Sequence, residues 1–306
     1  MAGKVAVIGM GNVGAAVAHQ LVVEGCTDEL LLYDKNEKKV KADALDFEDA
    51  MNNLPFHVNI TVNDYERLKD ANVIVSALGN IHLITLEKAD RFAELRVNKL
   101  AVAEVGKKIK DSGFKGILVD ITNPCDAICG LYQKATNLPR ENIMGTGTLL
   151  DSARLHRAVG KFFNVNPKSV QGYSLGEHGD SQFVAWSTVK VLDLPVEKLA
   201  AKSGIDLEAI EKETRSGGFT VFAGKLYTNY GVAASAVRLV CAIMSDSHEV
   251  FPVSNYRDEY GTYLSYPAVV GRKGIVKQVQ LDLREDELEK LKISAETILE
   301  KESFNE

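Results

Sequence analysis

The hydrophobic residues of the N-terminal half occur in short runs that are separated by segments with helical spacing. Residues 5–8 and 30–33 are continuous apolar runs, which are typical of strands buried on both faces of a sheet. Strands that alternate with helices predict a doubly wound parallel sheet of the α/β class. Further strands are predicted at 57–61, 73–78 and 116–121, and helices at 35–54, 91–110 and 124–135.

The pattern changes near residue 145, where strands no longer alternate regularly with helices. We therefore predict two domains, residues 1–144 and residues 145–306, the second of the α+β class with a smaller and more antiparallel sheet. In this second half, helices are predicted at 149–163, 205–215, 227–245 and near the C-terminus, and strands at 170–175, 183–191, 263–270 and 276–281.

Three glycines follow the first predicted strand. Gly9, Gly11 and Gly14 have the spacing G-x-G-x-x-G. In such a motif the first glycine allows a tight turn, the second lets a pyrophosphate approach the backbone, and the third lets helix and strand pack closely. Asn12 and Val13 lie at the start of the following helix, where N–H groups favour a bound phosphate.

The second apolar run ends in Asp34, twenty residues after Gly14. A carboxylate at this distance accepts hydrogen bonds from the ribose hydroxyls of the adenosine half and repels a 2′-phosphate. Alone, Asp34 is equally compatible with a loop carboxylate that caps the next helix. Together with the strand, glycine turn and helix before it, Asp34 predicts a Rossmann domain that binds NAD rather than NADP.

Composition argues against several classes of function. The 306 residues carry a net charge of −6 without a basic stretch for nucleic acid or an anionic membrane. No apolar window is long enough for a membrane span, and the start of the chain leaves little room for a signal peptide. Cys26, Cys125, Cys129 and Cys241 lack C-x-x-C spacing, so we expect neither a metal site nor a disulfide framework. These features predict a protein of the reduced cytoplasm.

Two short polar segments in the second half carry candidate chemistry. Segment 145–154 contains Asp151 and Arg154, which share one face of a helix because they are three residues apart. Segment 176–180 contains His178. Taken singly, the first two residues are compatible with a surface ion pair, and the histidine with a turn residue that bonds neighbouring backbone.

Five motifs stand in a characteristic order along the chain: the three glycines, Asp34, Asn123-Pro124, Asp151-Ser152-Ala153-Arg154 and Gly176-Glu177-His178-Gly179-Asp180. In this order they resemble the L-lactate/malate dehydrogenase family, and the resemblance covers essentially the whole chain. Segments 90–95, 145–150 and 181–189 are most similar to the L-2-hydroxyisocaproate dehydrogenases of lactic acid bacteria. The resemblance implies a Rossmann domain followed by a substrate domain of the lactate dehydrogenase type, with NAD as cofactor and a 2-oxo or 2-hydroxy acid as substrate.

The resemblance implies catalytic roles that the oxidation of a secondary alcohol also requires. His178 would remove the hydroxyl proton as hydride leaves, because an imidazole that titrates near neutrality works in both directions. Asp151 would accept a hydrogen bond from the other ring nitrogen and stabilise the imidazolium. Arg91, which follows a candidate lid, would move in on closure and polarise the substrate carbonyl.

The resemblance also implies residues that bind the substrate and the nicotinamide. Arg154 would hold the substrate carboxylate through two parallel hydrogen bonds. Asn123 would bond to the substrate oxygen, and its strand-end turn would flank the nicotinamide. Thr228 aligns with a substrate-pocket position, although it also suits the start of a helix. Gly79 and Asn80 complete the predicted cofactor site.

The candidate lid, residues 80–89, departs from the family pattern. It is longer than in ordinary lactate dehydrogenases, and Leu83 or a neighbour stands where malate dehydrogenases carry an arginine and lactate dehydrogenases a glutamine. No lysine or arginine lies between Gly79 and Lys88, so a dicarboxylate lacks a partner. A branched aliphatic substrate would instead gain about 0.8 kcal/mol per buried CH₂. Alternatively, these apolar residues pack against the protein itself.

A second departure concerns regulation. Lactate dehydrogenases that fructose 1,6-bisphosphate activates carry an arginine and a histidine at a subunit interface. His156 and Gln171 align with those positions, so much of the phosphate-binding charge is missing and activation by a sugar phosphate is not expected. A homotetramer is expected by analogy with the family.

Other functions are also compatible with the sequence. The nearest is an L-lactate dehydrogenase with relaxed specificity, followed by a malate dehydrogenase, which the lid disfavours. NAD-dependent glycosidases share the general fold but need a metal held by cysteine and histidine, and Arg91 and Arg154 suit a 2-hydroxy acid better. A non-catalytic NAD-sensing module would not need the proton relay of His178 and Asp151.

Overall fold

A parallel sheet forms the N-terminal half of the protein. The computed structural model describes residues 3–79 and 91–303, and for residues 91–93 the backbone alone. The parallel strands lie in the order β3-β2-β1-β4-β5-β6, which confirms the doubly wound parallel sheet that the sequence predicts. They are β1 (Lys4–Ile8), β2 (Glu29–Tyr33), β3 (Asn59–Val62), β4 (Val73–Ser76), β5 (Ile117–Asp120) and β6 (Ile143–Gly145).

Helices cover both faces of this sheet. The central strands β1, β4 and β5 are therefore apolar, except for Lys4, Ser76 and Asp120 at one end of each strand. In β1, Val5 and Val7 belong to one core cluster and Ala6 and Ile8 to another, because successive strand residues face opposite sides. The helices are α1 (Asn12–Glu24), α2 (Glu37–Met51), α3 (Arg91–Ser112) and α4 (Cys125–Thr136), with 3₁₀ segments at Tyr65–Asp70 and Arg140–Asn142.

The second half contributes both a small sheet and an extension of the large one. Strands β7 to β9 form the small antiparallel sheet, as predicted, while β10 pairs antiparallel with β6, so that nine strands of the described chain form one sheet. The elements are α5 (Leu149–Phe163), β7 (Val170–Leu175), β8 (Phe183–Val191), β9 (Leu194–Pro195), α6 (Val196–Ser203), α7 (Leu207–Lys225), α8 (Tyr230–Ser245), β10 (Glu249–Arg257), β11 (Thr262–Gly271), β12 (Gly274–Gln278) and α9 (Glu285–Ser303), with a 3₁₀ segment at Pro167–Ser169.

One predicted helix ends too early. The sequence predicts 205–215, whereas α7 continues to Lys225 and includes Gly217 and Gly218. Glycine usually weakens a helix interior. Here a Cβ on Gly218 would lie 3.1 Å from Nη2 of Arg154, so the glycine lets α7 pack close to that guanidinium.

The expectation of no disulfide was wrong. Cys26 and Cys241, 215 residues apart in sequence, form a disulfide that links the segment after α1 to α8. The spacing of cysteines along the sequence cannot reveal a contact between two segments that lie so far apart in the chain. Cys125 and Cys129 are buried and reduced.

Among the described residues, no single helix has the length and apolar character to cross a membrane. The pair α7 and α8 meets those criteria only when taken together across a bend of 119°.

Candidate active site

The glycine turn between β1 and α1 has one open position and two crowded ones. Gly9 has a φ of +94°, and a Cβ there would lie 2.6 Å from the carbonyl oxygen of Ala77. A Cβ on Gly14 would lie 1.8 Å from the carbonyl oxygen of Gly9, whereas one on Gly11 would meet no atom within 4 Å. Gly9 and Gly14 are therefore required by packing, and Gly11 leaves space for a ligand.

The first turn of α1 presents polar backbone to that space. Gly11 is the N-cap residue and provides no side chain to cap the helix, and the first turn carries no acidic residue. Asn12 is exposed and Val13 is half-buried. Uncapped N–H groups at a helix N-terminus favour an anion such as a pyrophosphate.

Asp34 lies beside the same turn. Its Oδ2 accepts a hydrogen bond from the backbone N–H of Met10 at 2.7 Å, and its Oδ1 accepts one from Asn36 N–H at 2.8 Å. A carboxylate has about four acceptor positions, so both oxygens retain capacity for ribose hydroxyls. The open space at Gly11, the helix N-terminus and this carboxylate together fit the adenosine and pyrophosphate parts of NAD.

The carboxyl ends of β4 and β5 form the next part of the site. Gly79 follows β4, and the exposed Asn123 follows β5 and precedes a cis peptide bond to Pro124. The backbone carbonyl of Asn123 accepts a hydrogen bond from Asn98 Nδ2 at 2.7 Å. Ligands of open α/β sheets bind outside the carboxyl ends of strands, so Gly79 and Asn123 lie where a nicotinamide is expected.

For three of the predicted residues, the side chain lies outside the described part of the chain. Asn80 and Leu83 lie outside the described residues. Arg91 begins α3, and its side chain also lies outside the described part of the chain. Their roles stay predictions.

The candidate proton relay is assembled by α5 and the segment after β7. His178 Nδ1 lies 2.6 Å from Asp151 Oδ2, and Arg154 Nη1 donates a hydrogen bond to Asp151 Oδ1 at 2.8 Å. The side chain of Asp151 is 3% exposed, that of Arg154 18% and that of His178 26%. A buried carboxylate thus orients a partly accessible imidazole, and its second oxygen pairs with a guanidinium.

The charges of this cluster shift the pKa values of both members of the relay. Burial alone would lower the pKa of His178, but the negative charge of Asp151 and the hydrogen bond to it outweigh burial and raise the pKa. Burial alone would raise the pKa of Asp151, but His178 and Arg154 outweigh it and lower the pKa. The pair therefore favours an imidazolium next to a carboxylate.

Asp126 was missed by the sequence reasoning. Its Oδ2 accepts a hydrogen bond from the backbone N–H of His178 at 2.7 Å, and its Oδ1 accepts one from Ser265 Oγ at 2.8 Å. Asp126 is 1% exposed, and burial raises its pKa. The available signal was an aspartate two residues after Pro124, in the first turn of α4.

A cavity of about 590 Å³ opens beside Arg154, between α5, α7 and the start of α8. Thr228 lies on its wall, so the structure brings these two predicted substrate-binding residues together. Apolar parts of the wall come from Leu150, Val221, Tyr230 and Val232.

The two residues that align with the sugar-phosphate site have local partners. His156 Nε2 lies 2.9 Å from the carbonyl oxygen of Gly172, and burial lowers the pKa of His156. Gln171 Nε2 donates a hydrogen bond to Asp193 Oδ1 at 3.1 Å. The expectation about fructose 1,6-bisphosphate stays a prediction.

Comparison with known proteins gives matches to both halves of the chain. The lactate/malate dehydrogenase NAD binding domain matches residues 3–145, and the lactate/malate dehydrogenase alpha/beta C-terminal domain matches residues 148–304. L-lactate dehydrogenase 1 of Bifidobacterium longum is 36% identical over an alignment of 306 residues, which covers 97% of this chain and 96% of that protein.

Solved structures of lactate dehydrogenases also match this chain over nearly its whole length. A lactate dehydrogenase from a Medee basin deep-sea metagenome library superposes with a TM-score of 0.92 at 30% identity and 99% coverage of both chains. The lactate dehydrogenase of Cryptosporidium parvum, solved with lactic acid and NAD, has a TM-score of 0.92 at 26% identity, with 99% of this chain and 97% of that chain covered. The chain therefore belongs to the lactate/malate dehydrogenase family and is an oxidoreductase with a Rossmann domain for NAD.

Proposed function

We propose that the protein reduces 2-oxo acids with branched or medium aliphatic side chains, such as 2-oxoisocaproate, reversibly to L-2-hydroxy acids. The alternative is an L-lactate dehydrogenase with relaxed specificity, which agrees with the names of the relatives. The observation that carries the proposal is the partly apolar cavity next to Arg154.

The proposed mechanism assigns one task to each residue of the cluster. Because Nδ1 of His178 faces Asp151, Nε2 is left to face the substrate oxygen and to donate its proton during reduction. Asp151 stabilises the imidazolium before that transfer. The guanidinium of Arg154 has five N–H donors, so its bond to Asp151 leaves donors for the substrate carboxylate. NADH, when bound, supplies the hydride.

Two further roles complete the proposed mechanism. Arg91 polarises the substrate carbonyl, and Asn123 bonds to the substrate oxygen while its turn flanks the nicotinamide. Leu83 of the candidate lid contacts the aliphatic side chain of the substrate. Each role follows from the match of these residues to the family motifs.

Two cations of the cavity wall besides Arg154 have partners within the protein. Arg157 Nη1 pairs with Glu213 Oε1 at 2.9 Å. Lys225 Nζ donates a hydrogen bond to Asn229 Oδ1 at 2.6 Å and lies 4.1 Å from the ring centre of Tyr230. These cavity cations therefore already have partners, whereas apolar wall atoms remain available to an aliphatic chain.

A panel of substrates tests the proposal. We expect kcat/KM with NADH to peak at 2-oxoisocaproate among pyruvate, 2-oxobutyrate, 2-oxoisocaproate, phenylpyruvate and oxaloacetate. Three additional carbons at about 0.8 kcal/mol each contribute about 2–3 kcal/mol, which corresponds to about 30–150-fold over pyruvate. A maximum at pyruvate would instead establish the lactate dehydrogenase alternative.

A variant that fills the cavity tests the same proposal by changing a residue of the cavity wall. Val221→Phe is expected to lower kcat/KM for 2-oxoisocaproate by about tenfold while pyruvate is still reduced. Val250→Phe is the matched control, because Val250 and Val221 are both 42% exposed and Val250 lies on β10, outside the cavity lining. Equal losses for both substrates in Val221→Phe would contradict the assignment of the cavity.

The proposal also includes the number of subunits and the cellular compartment of the protein. We infer a homotetramer that works in the cytoplasm, by analogy with the family, although disulfides such as Cys26–Cys241 are rare in that compartment. Sedimentation of the purified protein tests the number of subunits.

A further inference from the structure

The C-terminal helix reaches the candidate catalytic segment through a buried ion pair. Lys301, in the last turn of α9, contacts Glu177 through Nζ and Oε1. The side chains are 10% and 2% exposed, respectively. Glu177 directly precedes His178, and of the titratable groups in the described part of the chain, Lys301 is the one that contacts it.

The carboxylate of Glu177 also closes the loop that carries His178. Its Oε2 accepts hydrogen bonds from Ser181 Oγ at 2.7 Å and from Ser181 N–H at 3.3 Å. A Cβ on Gly179 would lie 2.4 Å from this carboxylate, so the Glu177 side chain lies directly under the turn. The carboxylate therefore bridges residues on both sides of the histidine.

Such a buried carboxylate requires a partner. Withdrawal of an ion from water costs several kcal/mol, and an unpaired buried charge is strongly unfavourable. Burial alone would raise the pKa of Glu177, but Lys301 and Ser181 outweigh burial and lower it. Loss of the Lys301 charge would leave the Glu177 carboxylate charged and unpaired, and this unpaired charge would change the forces on the loop until Glu177 is protonated.

We propose that Lys301 is a positioning residue for His178, acting through Glu177 and the turn at residues 176–181. This inference rests on the proposed role of His178 as proton donor. It makes the last turn of α9 part of the catalytic apparatus, although α9 lies far from the cofactor site in sequence. Ser294 of the same helix adds a second tether, because its Oγ donates a hydrogen bond to the carbonyl of Ser181 at 2.7 Å.

Three variants separate this positioning role from general stabilisation. Lys301→Met is expected to lower kcat for 2-oxo acid reduction by about 10- to 100-fold, since small displacements of a catalytic group cost this much. The Kd for NADH should stay unchanged. Lys301→Arg, which keeps the charge, and Glu177→Gln/Lys301→Met, which removes both charges, should recover most of the loss. Lys292→Met is the control, because Lys292 lies on the same helix and is 62% exposed.

A pH profile supplies a readout that a purely structural lysine would not change. In Lys301→Met, protonation of Glu177 removes the unpaired charge, so the ratio of variant kcat to parent kcat should rise as pH falls from 8 towards 5. The same ratio for Glu177→Gln/Lys301→Met should be independent of pH. If Lys301→Met does not fold, the double variant and Lys301→Arg remain as the test, because a folded double variant with a kcat far below that of the parent would overturn the proposal.

The outcomes distinguish this inference from the function on which it rests. His178→Ala should abolish turnover and leave NADH binding intact. If His178→Ala is inactive while folded Lys301→Met has the parent kcat, the positioning role is wrong and the proposed function stands. If His178→Ala still turns over, the proton relay itself is wrong, and Lys301 has no catalytic group to position.

Discussion

At the scale of single residues, the protonation of His178 controls the direction of the proposed reaction. Reduction requires the imidazolium, and Asp151 raises the pKa of His178 above its usual value of 6.5. We therefore expect kcat/KM for a 2-oxo acid to be constant at low pH and to fall by about tenfold per pH unit above a pKa that exceeds 6.5. Steady-state rates between pH 5.5 and 9 measure this.

The variant Asp151→Asn tests whether Asp151 sets this pH dependence. Without the carboxylate, burial dominates and the pKa of His178 drops, so the decline should begin at lower pH than in the parent enzyme. The residual rate should also fall, because the neutral amide does not stabilise the imidazolium. Identical pH profiles for the two proteins would contradict the assigned role of Asp151.

Several single residues were predictable from the sequence because their motifs are local. The spacing of the glycines and Asp34 predicts a dinucleotide site, whereas Asp151, Arg154 and His178 were identified through the resemblance of their short segments to the family motifs. Asp126 and Lys301 were not predictable, since each meets the histidine segment only through tertiary packing. Buried polar groups that act through backbone or through another side chain leave no periodic signal in the sequence.

At the scale of elements, the turn between β1 and α1 contains one glycine that packing requires, Gly14, and one that leaves space for a ligand, Gly11. Gly14→Ala places a Cβ against the carbonyl of Gly9, so it should displace α1 and lower the thermal midpoint of the cofactor-free enzyme. Overpacking of this kind typically costs about 1–3 kcal/mol. Gly11→Ala, which meets no protein atom, should leave that midpoint unchanged and weaken NADH binding.

Differential scanning calorimetry and NADH fluorescence titration measure the two effects. If Gly11→Ala bound NADH with the parent affinity, the open space at Gly11 would not be the pyrophosphate site. If Gly14→Ala had the same thermal midpoint as the parent enzyme, α1 would be able to shift without loss of packing.

The element pattern of the sequence was most informative where strands are apolar except at one end. Strands β1, β2, β4 and β5 were predicted because both of their faces are buried in the same parallel sheet. Strand β10 was missed, since Pro252, Ser254 and Asn255 interrupt its apolar pattern. Asn255 is buried, and its Nδ2 donates hydrogen bonds to the carbonyls of Val253 and Tyr266 at 2.8 and 2.9 Å.

At the scale of the whole molecule, the Cys26–Cys241 disulfide ties the two halves of the chain together across 215 residues. A cross-link that closes so long a loop restricts the unfolded chain and typically contributes about 2–5 kcal/mol. Reduction with dithiothreitol should therefore lower the free energy of unfolding by this amount, as measured by denaturant titration. The Cys26→Ser/Cys241→Ser variant should already show the lower value and should not respond to the reductant.

Thiol alkylation under native, non-reducing conditions provides the independent check. Oxidised protein should leave Cys26 and Cys241 unlabelled, and reduced protein should label both. The disulfide would be contradicted if Cys241 were labelled without prior reduction and if dithiothreitol did not change the free energy of unfolding of the parent protein.

The pairing of β10 with β6 also determines what happens when the chain is divided. A fragment that stops at Gly145 keeps the parallel strands but loses the neighbour of β6, and it loses α8, whose Ala236, Val237 and Val240 share a core cluster with Val5. An uncovered strand edge beside an uncovered apolar face is a template for self-association. We therefore expect residues 1–145, produced alone, to self-associate, and we expect production of the second half in the same cell to restore soluble protein.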